Sequence, residues 1–113
     1  MSRQASGLRA WILQRVSGAY IALFVVYLAW HFLVNPPADY PAWRDWVAAP
    51  AVTITGMLFV LAVLLHAWVG VRDILIDYVK PVAVRVGALI GVALVLLGTG
   101  VWAAKILLMT VHP

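Results

Sequence analysis

The sequence predicts an all-α integral membrane protein with three transmembrane helices, and two observations carry that prediction. Of the 113 residues, 65% are hydrophobic and 11% are charged, whereas soluble domains carry about 25% charged residues. A soluble domain of this size buries only a limited fraction of its surface, so it could not cover that much apolar area. The second observation is that the apolar residues form three long runs, separated by polar segments.

The three runs define the predicted spans, at residues 16–34, 51–72 and 86–108, within one membrane domain that covers residues 1–113. At 1.5 Å per residue, the first run extends about 28 Å along a helix, close to the ~30 Å thickness of the hydrocarbon layer. A cleavable secretory signal has a shorter apolar segment of about 7–15 residues. We therefore expect the first run to be retained as a span.

The polar segments between the runs predict where the helices end. The first loop, residues 35–50, contains prolines that interrupt a helix and aromatic side chains typical of a membrane interface. Within it we expect a short surface helix over residues 41–47. The second helix is predicted to continue toward Tyr78 and to end near Lys80 and Pro81.

The basic residues predict the orientation of the chain. Three precede or open the first span, and three lie at the end of the second span or between it and the third, namely Arg3, Arg9, Arg15, Arg72, Lys80 and Arg85. The first loop has only Arg44, so the positive-inside rule predicts a cytoplasmic amino terminus and a cytoplasmic second loop. Because the cations flank apolar runs, the net charge of +4 indicates anionic lipid headgroups as partners, and not nucleic acid.

The chain has no cysteine. Disulfides, thiolate metal sites, iron–sulfur ligation and covalent c-type haem attachment are therefore excluded within it.

His66 is the first candidate functional residue. It lies about 9 Å by helical rise from the cytoplasmic end of the second span, and an ionisable side chain at that depth indicates a functional site. One interpretation is an axial ligand of a b-type haem, and the other is an interhelical hydrogen bond. His31 lies near the opposite end of the first span and His112 beside the terminus, so a second axial ligand would come from a partner chain.

Other reactive side chains follow His66 on one predicted helix face. Gly70, Asp73 and Asp77 are spaced i+4, i+7 and i+11 from it. Gly70 leaves a gap, which would admit either a flat macrocycle or a neighbouring helix. Tyr78, next to Asp77, would serve either as a hydrogen-bond donor to a quinone or as an interfacial anchor.

Arg15 and Arg72 both lie near the inner boundary of the membrane. Each would pair with a haem propionate, a lipid phosphate or a nearby carboxylate.

The stretch from His66 to Pro81, with the pattern H-x-x-x-G-x-R-x-x-x-x-D-Y and the ending D-Y-V-K-P, resembles a known family. It is similar to the small hydrophobic membrane anchor of bacterial succinate dehydrogenase, respiratory complex II. The likeness extends over the whole chain: its length, its three spans, its cytoplasmic amino terminus and the arginine that opens the first span.

The resemblance implies a location in the bacterial inner membrane and a role for each candidate residue. His66 would be an axial ligand of haem b, shared with a second three-span anchor, the cytochrome b subunit. Tyr78 would hydrogen-bond ubiquinone beside Asp77. Arg15 would contact a haem propionate, and Arg72 either a propionate or the quinone pocket. The chain would then be half of a heterodimeric haem-binding helix bundle that anchors a flavoprotein and an iron–sulfur subunit.

Three alternatives remain beside this expectation. The anchor of a related quinol:fumarate reductase would run the same couple in reverse. A cofactor-free structural membrane subunit would use His66 only to join helices. A small multidrug transporter has a similar length, but that family has four spans and an essential membrane glutamate, whereas this chain has no glutamate.

Overall fold

The computed structural model describes residues 3–111, with side chains from residue 5 onward. This part of the chain folds into four helices and no strand: α1 (Arg3–Val34), α2 (Tyr40–Ala48), α3 (Pro50–Tyr78) and α4 (Val82–Val111). The three long helices, α1, α3 and α4, are each apolar enough and long enough to cross a membrane. The predicted all-α fold with three spans is confirmed.

The helices extend beyond the predicted spans because hydrophobicity and helix formation end at different residues. Helix α1 begins at Arg3, so the basic amino-terminal segment continues the first span as helix. Helix α4 begins at Val82, before Arg85. Proline interrupts a helix that precedes it, but the residues directly after Pro81 can form a new one. The molecule measures 52 × 24 × 24 Å, which exceeds the ~40–45 Å of a bilayer with its headgroups.

Both ends of α3 are set by proline, as the sequence predicts. Pro50 occupies the first turn, where its missing N–H costs no intrahelical hydrogen bond. At the other end the Val79 N–H still donates to the Leu75 carbonyl at 3.0 Å, but Val79 itself is extended. Lys80 then precedes Pro81, and a residue before proline is disfavoured in the helical region.

Helix α2 confirms the short helix predicted in the first loop. Asp39 caps it, because its side chain accepts a hydrogen bond from the Ala42 N–H at 2.9 Å. The indole of Trp46 stacks on the His31 ring with centroids 4.3 Å apart, and Val47 is buried. Helix α2 therefore contacts the end of α1 through this stacking, and it packs against α3 and α4.

Helix α3 is the centre of the bundle, with α1 packed along one side and α4 along another. On the α1 side, the Tyr20 hydroxyl donates to the Thr55 carbonyl at 2.7 Å. On the α4 side, a Cβ added at Gly100 would lie 2.6 Å from Leu64 Cδ1, so glycine permits the close approach of these helices. Most large apolar side chains point outward, toward lipid or a partner.

Candidate functional site

A groove of about 900 Å³ lies between the amino-terminal half of α1 and the carboxyl-terminal half of α3. Its polar lining combines Gln14 and Arg15 from α1 with His66, Arg72 and Asp73 from α3. The volume lies at the upper end of the ~300–1,000 Å³ range typical of ligand sites. The groove therefore brings together three residues that the sequence singles out, His66, Arg15 and Arg72.

His66 faces α1 through one ring nitrogen. Its Nδ1 lies 3.2 Å from the Oγ of Ser17, which is buried. Gly18 makes room for the ring, because a Cβ there would lie 3.2 Å from His66 Cε1. The interhelical hydrogen bond considered above is thus present, but it occupies Nδ1 alone. Among the described residues, nothing hydrogen-bonds Nε2.

Gln14 fills the gap that the sequence predicts beside Gly70. Its Nε2 would lie 3.4 Å from a Cβ added at Gly70, so this glycine accommodates a side chain of α1. Of the two interpretations of Gly70, helix packing is the one that the structure supports. The Gln14 Oε1 atom is buried and has no hydrogen-bond partner in the described part of the chain. A buried amide oxygen without a partner is costly, so the groove is polar and incompletely satisfied at this point.

The two arginines of the groove have different partners. Arg72 forms an ion pair with Asp73, with Nη2 and Oδ1 3.0 Å apart, and about a third of its side chain is exposed. The Arg15 guanidinium lies 5.5 Å from the centroid of the Trp11 ring, a cation–π contact. An exposed pair such as Arg72–Asp73 contributes only about 0–1 kcal/mol. Another anion could therefore replace Asp73 at small cost.

Asp77 and Tyr78 lie apart from the groove. They are the last two residues of α3 and both are exposed, Tyr78 by 79%. By helical rise, Asp77 is about 16 Å from His66 along the axis. The stripe predicted on α3 therefore divides: His66 and Asp73 line the groove, and Asp77 does not.

Gln14, Ser17 and Gly18 have no predicted site role, because the polar stripe evident in the sequence lies on the second span. The first helix carries its own pattern: small and polar residues recur at Gly7, Ala10, Gln14 and Ser17, three or four positions apart. Such spacing puts them on one helix face.

Of the two remaining histidines, the structure describes His31. His31 packs on Trp46 beside α2, and His112 lies outside the described residues. No group of three or more histidine, aspartate or glutamate side chains that could hold a metal ion occurs among the residues described.

The fold and the groove define a class: a multi-pass membrane protein in which a histidine of a membrane span lies between two helices, in a groove that two arginines also line. The family model described as succinate dehydrogenase/fumarate reductase transmembrane subunit matches residues 1–109. The chain belongs to that family.

Two relatives agree with this assignment. The succinate dehydrogenase hydrophobic membrane anchor subunit of Coxiella burnetii is 32% identical over 101 residues, which cover 89% of this chain and 88% of the relative. The protein of the same name from Rickettsia conorii is 32% identical over 76 residues, 66% of this chain and 60% of the relative. The chain is thus a member of the succinate dehydrogenase membrane-anchor family and a multi-pass protein of the bacterial inner membrane, and its relatives are subunits of an oxidoreductase complex.

Proposed function

We propose that the chain contributes His66 as one of two axial ligands to a haem b at the inner end of the bundle. The observation that carries this proposal is the division of the His66 ring: Nδ1 is hydrogen-bonded to Ser17, while Nε2 has no partner among the described residues. A neutral imidazole with one nitrogen fixed and the other available is the usual state of a metal-ligating histidine. The other ligand comes from a second three-span anchor, the cytochrome b subunit.

The residues around His66 fit a haem. Arg15 and Arg72 line the same groove, and guanidinium groups bind carboxylates such as propionates. Arg72 has one of two roles: either it exchanges its exposed partner Asp73 for a haem propionate, or it faces the quinone pocket. Without cysteine the haem is bound non-covalently. When bound, the haem supplies one-electron redox chemistry. The residues of this chain ligate and orient the haem and neutralise the negative charge of its propionates.

The carboxyl end of α3 contributes to ubiquinone reduction in this proposal. The Tyr78 hydroxyl donates a hydrogen bond to a quinone carbonyl, and Asp77 helps to deliver protons to the reduced quinone. Both side chains are exposed and have no partner within the described chain. The remaining wall of this site therefore comes from the second anchor and the iron–sulfur subunit, which docks there with the flavoprotein that oxidises succinate.

The two named relatives are succinate dehydrogenase anchors. They support succinate oxidation over the reverse reaction of a quinol:fumarate reductase, which the family description also includes.

The haem assignment is tested by the reduced-minus-oxidised spectrum of the purified complex with His66→Ala. We expect the b-type signal of the wild type to be lost or converted to a five-coordinate, high-spin form, because one axial nitrogen is removed. The matched control is His31→Ala, which removes an imidazole at the far end of α1 and should leave the spectrum unchanged. A wild-type complex without a b-type signal contradicts the haem itself, and a normal spectrum in His66→Ala contradicts His66 as its ligand.

A further inference from the structure

We propose that Ser17 is a positioning residue that holds His66 in the tautomer protonated at Nδ1, so that Nε2 presents its lone pair. This inference rests on the proposed haem ligation. It concerns a residue of the first helix, which neither the family pattern in α3 nor the candidate residues of the sequence include. Ser17 sets both the ring orientation and the electron density of the ligating nitrogen.

The first step is the location of the serine proton. The Ser17 Oγ lies 2.6 Å from the Leu13 carbonyl oxygen, a short hydrogen bond within α1, and 3.3 Å from the Gln14 carbonyl oxygen. A hydroxyl has a single proton to donate and two lone pairs that accept. The two carbonyl oxygens can only accept. The proton is therefore directed at them, the short contact to Leu13 above all.

The second step is the consequence for His66. With its proton directed at the carbonyls of its own helix, Ser17 Oγ can only accept from the imidazole Nδ1 at 3.2 Å. Nδ1 must then carry a hydrogen, and in the neutral ring Nε2 carries none. The opposite tautomer would set the Nδ1 lone pair against an Oγ lone pair. Since only 6% of Ser17 is exposed, water does not readily substitute for it.

The third step is the rigidity of the arrangement. Ser17 and His66 lie in the interiors of two packed helices, α1 and α3, and the neighbouring Gly18 leaves room for the ring, because a Cβ there would lie 3.2 Å from His66 Cε1. The absent side chain at Gly18 lets the ring lie close to α1, where Ser17 fixes one nitrogen. A ligand held in this way loses little freedom when its second nitrogen binds a metal, which is the function of such outer partners at metal sites.

The hydrogen bond also has an electronic effect. A donor bond from Nδ1–H to an acceptor raises the basicity of Nε2. A more basic ligand stabilises the ferric over the ferrous state, which lowers the midpoint potential of the haem. Removal of the acceptor should raise that potential. Outer-partner substitutions change metal affinity by roughly 10–100-fold, and a tenfold loss confined to the ferric state corresponds to about 59 mV for one electron.

The experiment is a graded series in the intact complex, read out by redox titration of the haem and by the electron paramagnetic resonance signal of its ferric form. Ser17→Thr keeps the hydroxyl, Ser17→Cys keeps the shape but has a weak acceptor, and Ser17→Ala removes the acceptor. The control is Thr99→Ala on α4, which deletes an equivalent hydroxyl bond to the Val95 carbonyl, 2.7 Å long, away from the groove.

We expect the midpoint potential to rise from wild type and Ser17→Thr through Ser17→Cys to Ser17→Ala, with a parallel shift of the ferric signal and no shift in Thr99→Ala. If Ser17→Ala does not assemble, the difference between wild type and Ser17→Cys decides. Unchanged potential and ferric signal in the Cys and Ala variants overturn the role of Ser17 while leaving the haem in place. A wild-type complex without haem overturns both proposals.

Discussion

Replacing Gly18 with alanine should displace the His66 ring, and the structure allows the size of the effect to be worked out. The added Cβ would lie 3.2 Å from His66 Cε1 and 3.5 Å from Nδ1. Carbon atoms pack best about 3.5–4.0 Å apart, so the ring must move by about 0.3 Å or more. Overpacking of this kind costs about 1–3 kcal/mol, while alanine in place of glycine gains about 1 kcal/mol of helix propensity. The net destabilisation is about 0–2 kcal/mol.

The matched control is Gly87→Ala on α4, where an added Cβ meets nothing within 4 Å of the described chain. There the propensity gain acts alone, so we expect stabilisation by up to about 1 kcal/mol. The free energy of unfolding is measured by denaturant titration in detergent micelles, followed by circular dichroism. The haem spectrum of the complex reports the ring, and it should change only in Gly18→Ala. Equal stability changes with unaltered spectra in both variants would refute the close packing of Gly18 on the imidazole.

Two tyrosines give further tests. Tyr78→Phe should lower succinate:quinone activity severalfold and spare succinate oxidation with an artificial acceptor, because only the quinone hydrogen bond is lost. The control is Tyr40→Phe, which changes an exposed tyrosine near the other end of the bundle. Unchanged quinone activity in Tyr78→Phe would contradict the assignment. Tyr20→Phe removes the bond to the Thr55 carbonyl and should lower the free energy of unfolding by about 0.6 kcal/mol, the average for such bonds in membranes. Tyr27→Phe, whose hydroxyl has no partner among the described residues, should be neutral; an equal loss in both would show that the Tyr20 bond contributes nothing.

The groove shows how far sequence reasoning about the site extends. His66 is identifiable from sequence because an ionisable side chain inside an apolar run is costly wherever the helices go. Its partner Ser17 is 49 positions away in the chain. Serine is common in membrane helices, since it can bond to its own backbone, as Ser17 does with Leu13. No local pattern distinguishes a serine that also reaches another helix.

Gly70 illustrates the opposite case, in which the sequence reveals a gap and not its occupant. The absence of a side chain is evident from the letter alone, and both a cofactor and a neighbouring helix were compatible with it. Only the packing of α1 on α3 shows that Gln14 lies there. The same packing buries the Gln14 Oε1 without a partner, a property that depends on two helices at once.

The sequence by itself determined the membrane class, the three spans and the short α2 helix, because these follow from hydrophobicity over a bilayer's thickness and from proline and capping chemistry along the chain. It also singled out the polar stretch that begins at His66. The tertiary structure alone decided that α1 supplies the other wall of the groove, that His66 uses Nδ1 to contact it, and that Asp77 and Tyr78 stand apart from it. The physical reason is that helix formation is local, whereas the rotation of one apolar helix against another depends on which side chains interlock across the interface.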